Sequence, residues 1–263
     1  MAIDRNIWKG NLTPTGKINW PCPSCNLPRL KLVPDSLHKI ESRASLLEHD
    51  EGSWEPDFIS GRFICLLKCE DCNESLAIVG DWWIDEGEVW NEEISDVDFD
   101  YFDTFKPSFV SVPPPIIELP KTLPDDVKEQ LTKSFQMFWT DAESCANRVR
   151  ASVEKLLDHL KIRRKRIAKS GKRVALSLHE RIEDFKSKDN SLGENLMAVK
   201  WLGNAGSHSS SIQKDDLLDG YEILEHVLSE IYTQRTKRIA TITKQINRKR
   251  RPRSAQKRKG KRS

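Results

Sequence analysis

Three things are scarce in this 263-residue chain, and each narrows what it can be. No run of residues is long and apolar enough to cross a bilayer, which takes about 20 apolar residues in a helix. The opening residues, MAIDRNIWKG, lack the apolar core of a secretory leader. A cytoplasmic protein is therefore expected, with cysteines kept reduced and no membrane partner. Acid is missing from one end: residues 231–263 contain no Asp or Glu. The net charge of +3, from 43 basic and 40 acidic residues, hides that asymmetry. The missing acid is gathered instead at residues 81–103.

Cysteine is sparse as well, but four of the six fall in two C-x-x-C pairs, Cys22 with Cys25 and Cys69 with Cys72. One such turn presents two thiolates, and two turns complete the tetrahedral sulfur set that zinc prefers. The stretches WPCPSCN and FICLLKCEDCN look like the knuckles of a zinc ribbon, with RFICLLKC as the strand leading into the second. A structural zinc ion is the expected cofactor. Between the pairs, DSLHKIESRASLLEHD places Leu37, Ile40, Ala44 and Leu47 at helical spacing, so a helix carried on the ribbon is expected. Cys65 and Cys145 have no neighbour at ligand spacing and read as core residues. The stretch GDWWIDEGEVW reads as a hairpin that completes the sheet. The acidic run that follows is a solvated loop, a nucleic-acid mimic, or a cover for the basic tail of this chain or of another copy.

Residues 107–124 include six prolines, which fix φ and remove backbone donors. They read as an extended connector rather than core. Pro124, Asp125 and Asp126 then form a helix start. Apolar residues from Val127 to Leu160 recur every three or four positions, as in one long helix or two in tandem. KIRRKRIAKSGKR ends that run, with Gly171 as breaker. Further helices fit Leu176 to Phe185, Leu192 to Leu202, and Leu217 to Ile231. The fold class expected is α+β. A small β-rich zinc-ribbon-like module with a helical insert and an acidic segment (1–105) leads to a proline-rich linker (106–124). A four-helix bundle (125–235) follows, and then a basic tail (236–263) that is disordered at its end.

The second half resembles the DUF4145 family in its proline-rich lead VPPPIIELP, in RASVEKLL and SLHERIEDF, and in VKWLGNAGSH between the last two helices. DUF4145 domains are similar to the HEPN class of small helical bundles. The resemblance implies a HEPN-like bundle, a homodimer formed through it, and RNA as the partner in a bacterial or phage defence or mobile-element system. Many HEPN proteins are ribonucleases with an arginine, four to six intervening residues and then a histidine. Here Asn204 and His208 match that motif, while Gly203 stands where the arginine should be. A histidine can move protons near neutral pH, but a cation must meet the charge that develops on phosphorus. Arg150 on the earlier helix, or Lys200, is the candidate replacement, so the tentative catalytic set is His208, Asn204, Arg150 and Lys200. The other reading of GNAGSH is structural: glycine for a tight turn, and Asn204, the serines or Asp215 as caps. Arg173 and His179 also fit the motif's spacing but lie away from the family position.

Arg248, Lys249, Arg250, Arg251, Arg253, Lys257, Arg258 and Lys259 carry the tail's charge. Without aromatic residues to stack on bases, such a tail would hold phosphates of any sequence, RNA before DNA, with affinity falling as salt rises. The function expected is a nucleic-acid-binding HEPN-like protein. The alternatives are a metal-independent ribonuclease and a non-catalytic adaptor in a restriction or defence complex with a protein partner.

Overall fold

The computed structural model describes residues 3–12, 18–50, 54–91, 96–169, 171–205, 212–233 and 235–249. The chain is mixed α+β, with a curled antiparallel sheet followed by a helical region. A short helix α1 (Asn6–Lys9) precedes strands β1 (Leu30–Leu32) and β2 (His38–Glu41), helix α2 (Arg43–Glu48), and strands β3 (Ser60–Cys69), β4 (Ser75–Asn91) and β5 (Asp96–Val110). The sheet order is β1-β3-β4-β5, and β2 pairs with the other end of β3.

β3 shows why the sequence makes a two-faced sheet. Its residues alternate strictly between exposed and buried, which is the period of a strand with one face on a core. Phe63, Cys65 and Leu67 point inward with Leu76 and Ile78 of β4. Pro107 sits opposite Gly80 at a register shift in the β4–β5 ladder, since a proline lies in a sheet only where no ladder donor is needed. A Cβ on Gly80 would come within 2.1 Å of the Lys106 carbonyl oxygen, so only glycine fits that bend.

Three expectations for this half change. GDWWIDEGEVW is not a hairpin of its own but part of the single strand β4, paired with β5. The insert between the cysteine pairs is a strand followed by a six-residue helix, not one helix. Ile40 is 73% exposed and Leu47 63%, so their helical spacing reflects no buried face. The helix begins where the Ser42 side chain accepts from the Ser45 amide. The proline-rich connector is also partly core. Its first residues extend β5 to Val110, and Ile116, Ile117 and Leu123 are buried. Proline removed the donors but left apolar side chains free to pack.

The helical region contains α3 (Asp125–Thr140), α4 (Ala142–His159), a small hairpin of β6 (Lys165–Ile167) and β7 (Arg173–Ala175), then α5 (Leu178–Lys186), α6 (Asn190–Ala205), α7 (Lys214–Leu228) and α8 (Arg235–Lys249). α3 starts at Asp125, directly after Pro124. The long apolar series divides at Asp141, which leaves helical geometry at φ −154° and accepts the Glu143 and Ser144 amides as the cap of α4. The two helices fold back on each other, so His159 at the end of α4 meets Asp126 at the start of α3 at 2.6 Å. Within the helical region, five helices among the described residues, not four, therefore precede α8. The basic run expected as a simple breaker is the β6–β7 hairpin, with Gly171 at φ +76° in its turn. A Ser177–Glu180 capping box opens α5. The apolar pattern after residue 237 is the helix α8, which reaches Lys249.

The sheet and the helices share one hydrophobic core. Trp8 of α1 and Trp20 stack at 6.3 Å, and Trp20 and Trp8 both meet Trp139 of α3, at 4.6 and 6.2 Å. Arg5 and Lys9 reach across to α7, Lys9 pairing with Asp215 at 2.6 Å and Arg5 with Glu222 at 3.2 Å. Cys65 and Cys145 are buried as expected. The Cys145 sulfur lies 3.1 Å from the Tyr221 hydroxyl, which donates to Ser134 at 2.8 Å.

Arg181 is the charged side chain set deepest among the helices, 6% exposed, and its Nη2 meets Asp158 at 2.6 Å. Burial alone would raise the Asp158 carboxyl, but Arg164 and Arg181 outweigh it and hold the group below its ordinary value. Asp158→Asn strands a buried guanidinium and is expected to cost about 3 kcal/mol in denaturant titration at neutral pH. Because the carboxyl is lowered on folding, its contribution is present at neutral pH and fades as pH falls through its folded-state value. The gap between wild type and variant should therefore close in acid. An equal stability at neutral pH would show that Asp158 does not hold Arg181.

Candidate functional site

The two cysteine turns are built alike. In each, the amide four residues past the first cysteine donates back to that cysteine's carbonyl, Asn26 to Cys22 at 2.9 Å and Asn73 to Cys69 at 3.1 Å. The first cysteine's own amide donates forward five residues, Cys22 to Leu27 at 3.0 Å and Cys69 to Glu74 at 2.8 Å. Asn26 and Asn73 both stand at φ 62°, a left-handed conformation that asparagine tolerates better than most side chains. The repeated C-x-x-C-N is thus a backbone requirement as well as a ligand spacing. One turn precedes β1 and the other joins β3 to β4, and β1–β3 pairing sets Leu30 opposite Cys69. The Glu70 amide donates to the Arg29 carbonyl at 3.1 Å, and Lys31 pairs with Glu70 at 2.5 Å, fixing one turn against the other.

All four Sγ atoms lie within 4.8 Å of one another, with Cys22 and Cys72 3.5 Å apart and Cys25 and Cys69 3.6 Å apart. A tetrahedral sulfur set around an ion at about 2.3 Å has edges near ~3.8 Å, so the four cysteines could hold a metal ion. The Cys72 amide, helped by that of Asp71, brings the Cys69 thiol down to about 7. Burial pushes Cys22 up to about 12. The turn amides therefore favour the thiolate at Cys69, while burial disfavours it at Cys22.

The second candidate lies where α4 crosses α6. Gly203 is buried against Arg150: an added Cβ would sit 2.7 Å from the Arg150 Cβ and 3.2 Å from the Ala146 carbonyl oxygen. Gly203 and Asn204 are within α6 rather than in a turn, so the glycine serves close helix approach and not a positive φ. The expected cap at Asp215 is instead Gln213, whose amide donates to Asp216 at 2.9 Å. Arg150 is half-buried and pairs with Glu154 at 3.2 Å, while its Nε is buried without a hydrogen-bond partner. Lys200 is 7% exposed, with its ammonium 3.1 Å from the centre of the Trp201 ring. Burial lowers the Lys200 ammonium, and the charge of Arg150 lowers it further. The structure therefore brings Arg150, Lys200 and Gly203 together. Asn204 is half-buried on the same final turn. His208 lies outside the described residues. Arg173 is on β7 and His179 in the first turn of α5, where its ring lies 6.2 Å from that of Trp201.

The third candidate is basic. α8 exposes Arg238, Lys244 and Arg248, and none of them has an ion-pair partner among the described residues. Lys249 closes the helix, and Arg250, Arg251, Arg253, Lys257, Arg258 and Lys259 lie outside the described residues. The β6–β7 hairpin adds Lys165, Lys169, Lys172 and Arg173, all exposed. Residues 161–173 hold the signal for that second patch, a basic run around a glycine, but pairing of the two short strands is what displays it.

A cleft of about 540 Å³ between the sheet and α3 and α7 carries Lys9, Lys106 and Lys214 against Asp81, Asp141 and Asp215. Its charges balance, so it marks no ligand class.

Residues 132–249 match the model of a domain of unknown function, DUF4145. Residues 11–110 match that of another domain of unknown function, DUF8608. No curated protein and no solved structure matches the chain. The first match supports the DUF4145 resemblance and runs through α8, so the basic helix falls inside the matched span. The second takes in the sheet and both cysteine turns. No helix among the described residues is long and apolar enough to cross a membrane.

Replacing Gly203 with arginine, as the HEPN motif would have it, forces α4 and α6 apart. The contact with Arg150 is too short for a flexible side chain to relieve, because it is made by Cβ itself. Gly203→Arg is expected to lose roughly 1–3 kcal/mol in denaturant titration despite the better helix propensity of arginine. A variant as stable as wild type would contradict so close a crossing.

Proposed function

We propose that this is a nucleic-acid-binding protein, RNA before DNA, whose C-terminal helix and tail grip the phosphate backbone. The observation that carries the reading is α8: its exposed arginines and lysine have no acidic partner among the described residues, and the chain beyond it only adds cations. Unpaired cations along one element release counterions from a polyanion, which is the source of sequence-independent affinity. The β6–β7 hairpin supplies further phosphate contacts. A HEPN-like bundle in a bacterial or phage defence or mobile-element setting is consistent with the DUF4145 match, as is a cytoplasmic location with the absence of a spanning helix.

In this reading the four cysteines hold a structural zinc ion. All four positions are thiolates, no place is left open for a reactant, and the ion ties the turn before β1 to the β3–β4 turn as a zinc-ribbon-like module.

A second reading, metal-independent ribonuclease, is favoured by one contact. Arg150 packs on the residue that replaces the motif arginine, so α4 can return a guanidinium to that place. Lys200 stands by as a second cation.

Two outcomes are expected. Purified protein should carry one zinc ion per chain by elemental analysis, and Cys69→Ser should abolish it and lower the melting temperature. Full zinc retention in that variant would remove the tetrad. The intact chain should retard single-stranded RNA of any sequence, with affinity dropping by at least ~10-fold between about 50 and 200 mM salt. Truncation after Asn247 should weaken binding by a similar factor, and unchanged affinity would overturn the tail assignment. Loss of full-length RNA in the same metal-free mixtures, abolished by Arg150→Ala, would establish the second reading.

A further inference from the structure

β4 and β5 continue well past the sheet that supports them. β3 pairs with β4 only as far as Trp83, so residues 84–91 and 96–103 form a two-stranded arm beyond it, tied at its base by the Ile84 amide on the Ile59 carbonyl at 3.0 Å and by Asp103, which pairs with Lys39 at 2.7 Å and accepts from the Trp82 indole at 2.7 Å. A lone two-stranded ribbon is marginal in water. This one also exposes what a sheet normally buries, with Phe99 61% exposed, Val97 47% and Tyr101 41%. The register sets Glu88 directly opposite Phe99 and Glu86 directly opposite Tyr101. Residues directly opposite share a face, so one side of the arm is an aromatic row edged by carboxylates. The other side bears Asp85, opposite Phe102, and Asp100, opposite Gly87. The sequence has no lysine or arginine between residues 81 and 105. Asp85, Glu86 and Glu88 have no ion-pair partner among the described residues.

α8 is the counterpart. It is 15 residues long and shows Ile239, Ile242 and Ile246 at a spacing of three and four, one stripe of a helix. Ile239 is 52% exposed and Ile246 39%, and Ile242 is half-buried, so the described residues leave most of the stripe uncovered. Arg238 is exposed and adjoins its first isoleucine, and Arg235 precedes that isoleucine by four positions in the helix. Apolar row and charge are thus matched in opposite sense: aromatics with glutamates on the arm, isoleucines with arginines on the helix. Their lengths match too. Eight strand residues span roughly 27 Å, and the helix about 22 Å.

We infer that the β4–β5 arm of one copy of this chain docks on α8 of a second copy, reciprocally, so that two arm–helix contacts close a symmetric dimer. The chain's own arm does not serve, since arm and helix both stand exposed. A second copy supplies the complementary pair twice, as a two-fold interface requires. Apolar contact holds the pair and the opposed charges set its register and its sensitivity to salt. The inference stands on the protein alone and does not need nucleic acid to bind.

The test is sedimentation of the full chain, freed of nucleic acid, with two charge-reversed forms. Wild type should be a dimer whose dissociation constant rises at least ~10-fold from about 50 to 500 mM salt. Glu86→Lys with Glu88→Lys, and separately Arg235→Glu with Arg238→Glu, should each sediment as monomer with the far-ultraviolet dichroism of wild type. An equimolar mixture of the two forms should return the dimer, because each reversed arm then meets a reversed helix and each native arm a native helix. A monomeric wild type overturns the inference. So does a dimer that survives both reversals, which would place the interface elsewhere on the helical domain. Failure of the mixture to reassociate overturns it too, since the arm of one copy would then not be meeting the helix of the other.

Discussion

The cluster of Trp8, Trp20 and Trp139 is the contact that makes one body of two halves. One indole comes from the first helix, one from the segment just before the first cysteine turn, and one from the end of α3. Aromatic pairs at these separations contribute about 0.5–1.5 kcal/mol each beyond their buried area. Phe138 meets both Trp8 and Trp139 edge-on, so the cluster continues into the helical core. Arg5 and Lys9 then join the same N-terminal segment to α7. The N-terminal residues therefore act as a clasp across both halves. The position of the cysteine turns relative to the helices follows from it, because Trp20 lies two residues before Cys22.

Around this seam the chain uses proximity in two different ways. At the cysteines, closeness is set by backbone: two turns with the same hydrogen bonds and the same left-handed asparagine, brought together by β1–β3 pairing. At the α4–α6 crossing, closeness is set by absence. Gly203 removes a side chain so that Arg150 can lie against the helix, and the neighbouring ammonium of Lys200 is desolvated over Trp201. The first arrangement favours negative sulfur and so a cation. The second sets two cations, Arg150 and Lys200, near each other, with Glu154 paired to the first.

Charge is also divided over larger distances. The acidic arm and the basic helix lie far apart in the sequence, and each carries exposed apolar side chains. A nearly neutral chain can therefore present two strongly charged surfaces of opposite sign. The basic one has the sign that attracts a polyanion, and the acidic one the sign that repels it. The two are also suited to each other.

Local chemistry was legible without coordinates. The C-x-x-C spacing located the tetrad, the 3.6-residue period located the helices, and the Pro-Asp-Asp start marked α3, because each depends only on neighbours in the chain. The resemblance to DUF4145 likewise rested on short motifs. Residues 37–47 misled because apolar spacing is evidence for a helix only when those residues are buried, and Ile40 and Leu47 are not. The proline-rich segment misled because missing donors do not prevent apolar side chains from packing. The tryptophan seam, the partnership of Gly203 with Arg150 and the free length of the β4–β5 arm could come only from the tertiary structure. Each depends on which distant segments meet, and long-range contacts leave no period in the sequence.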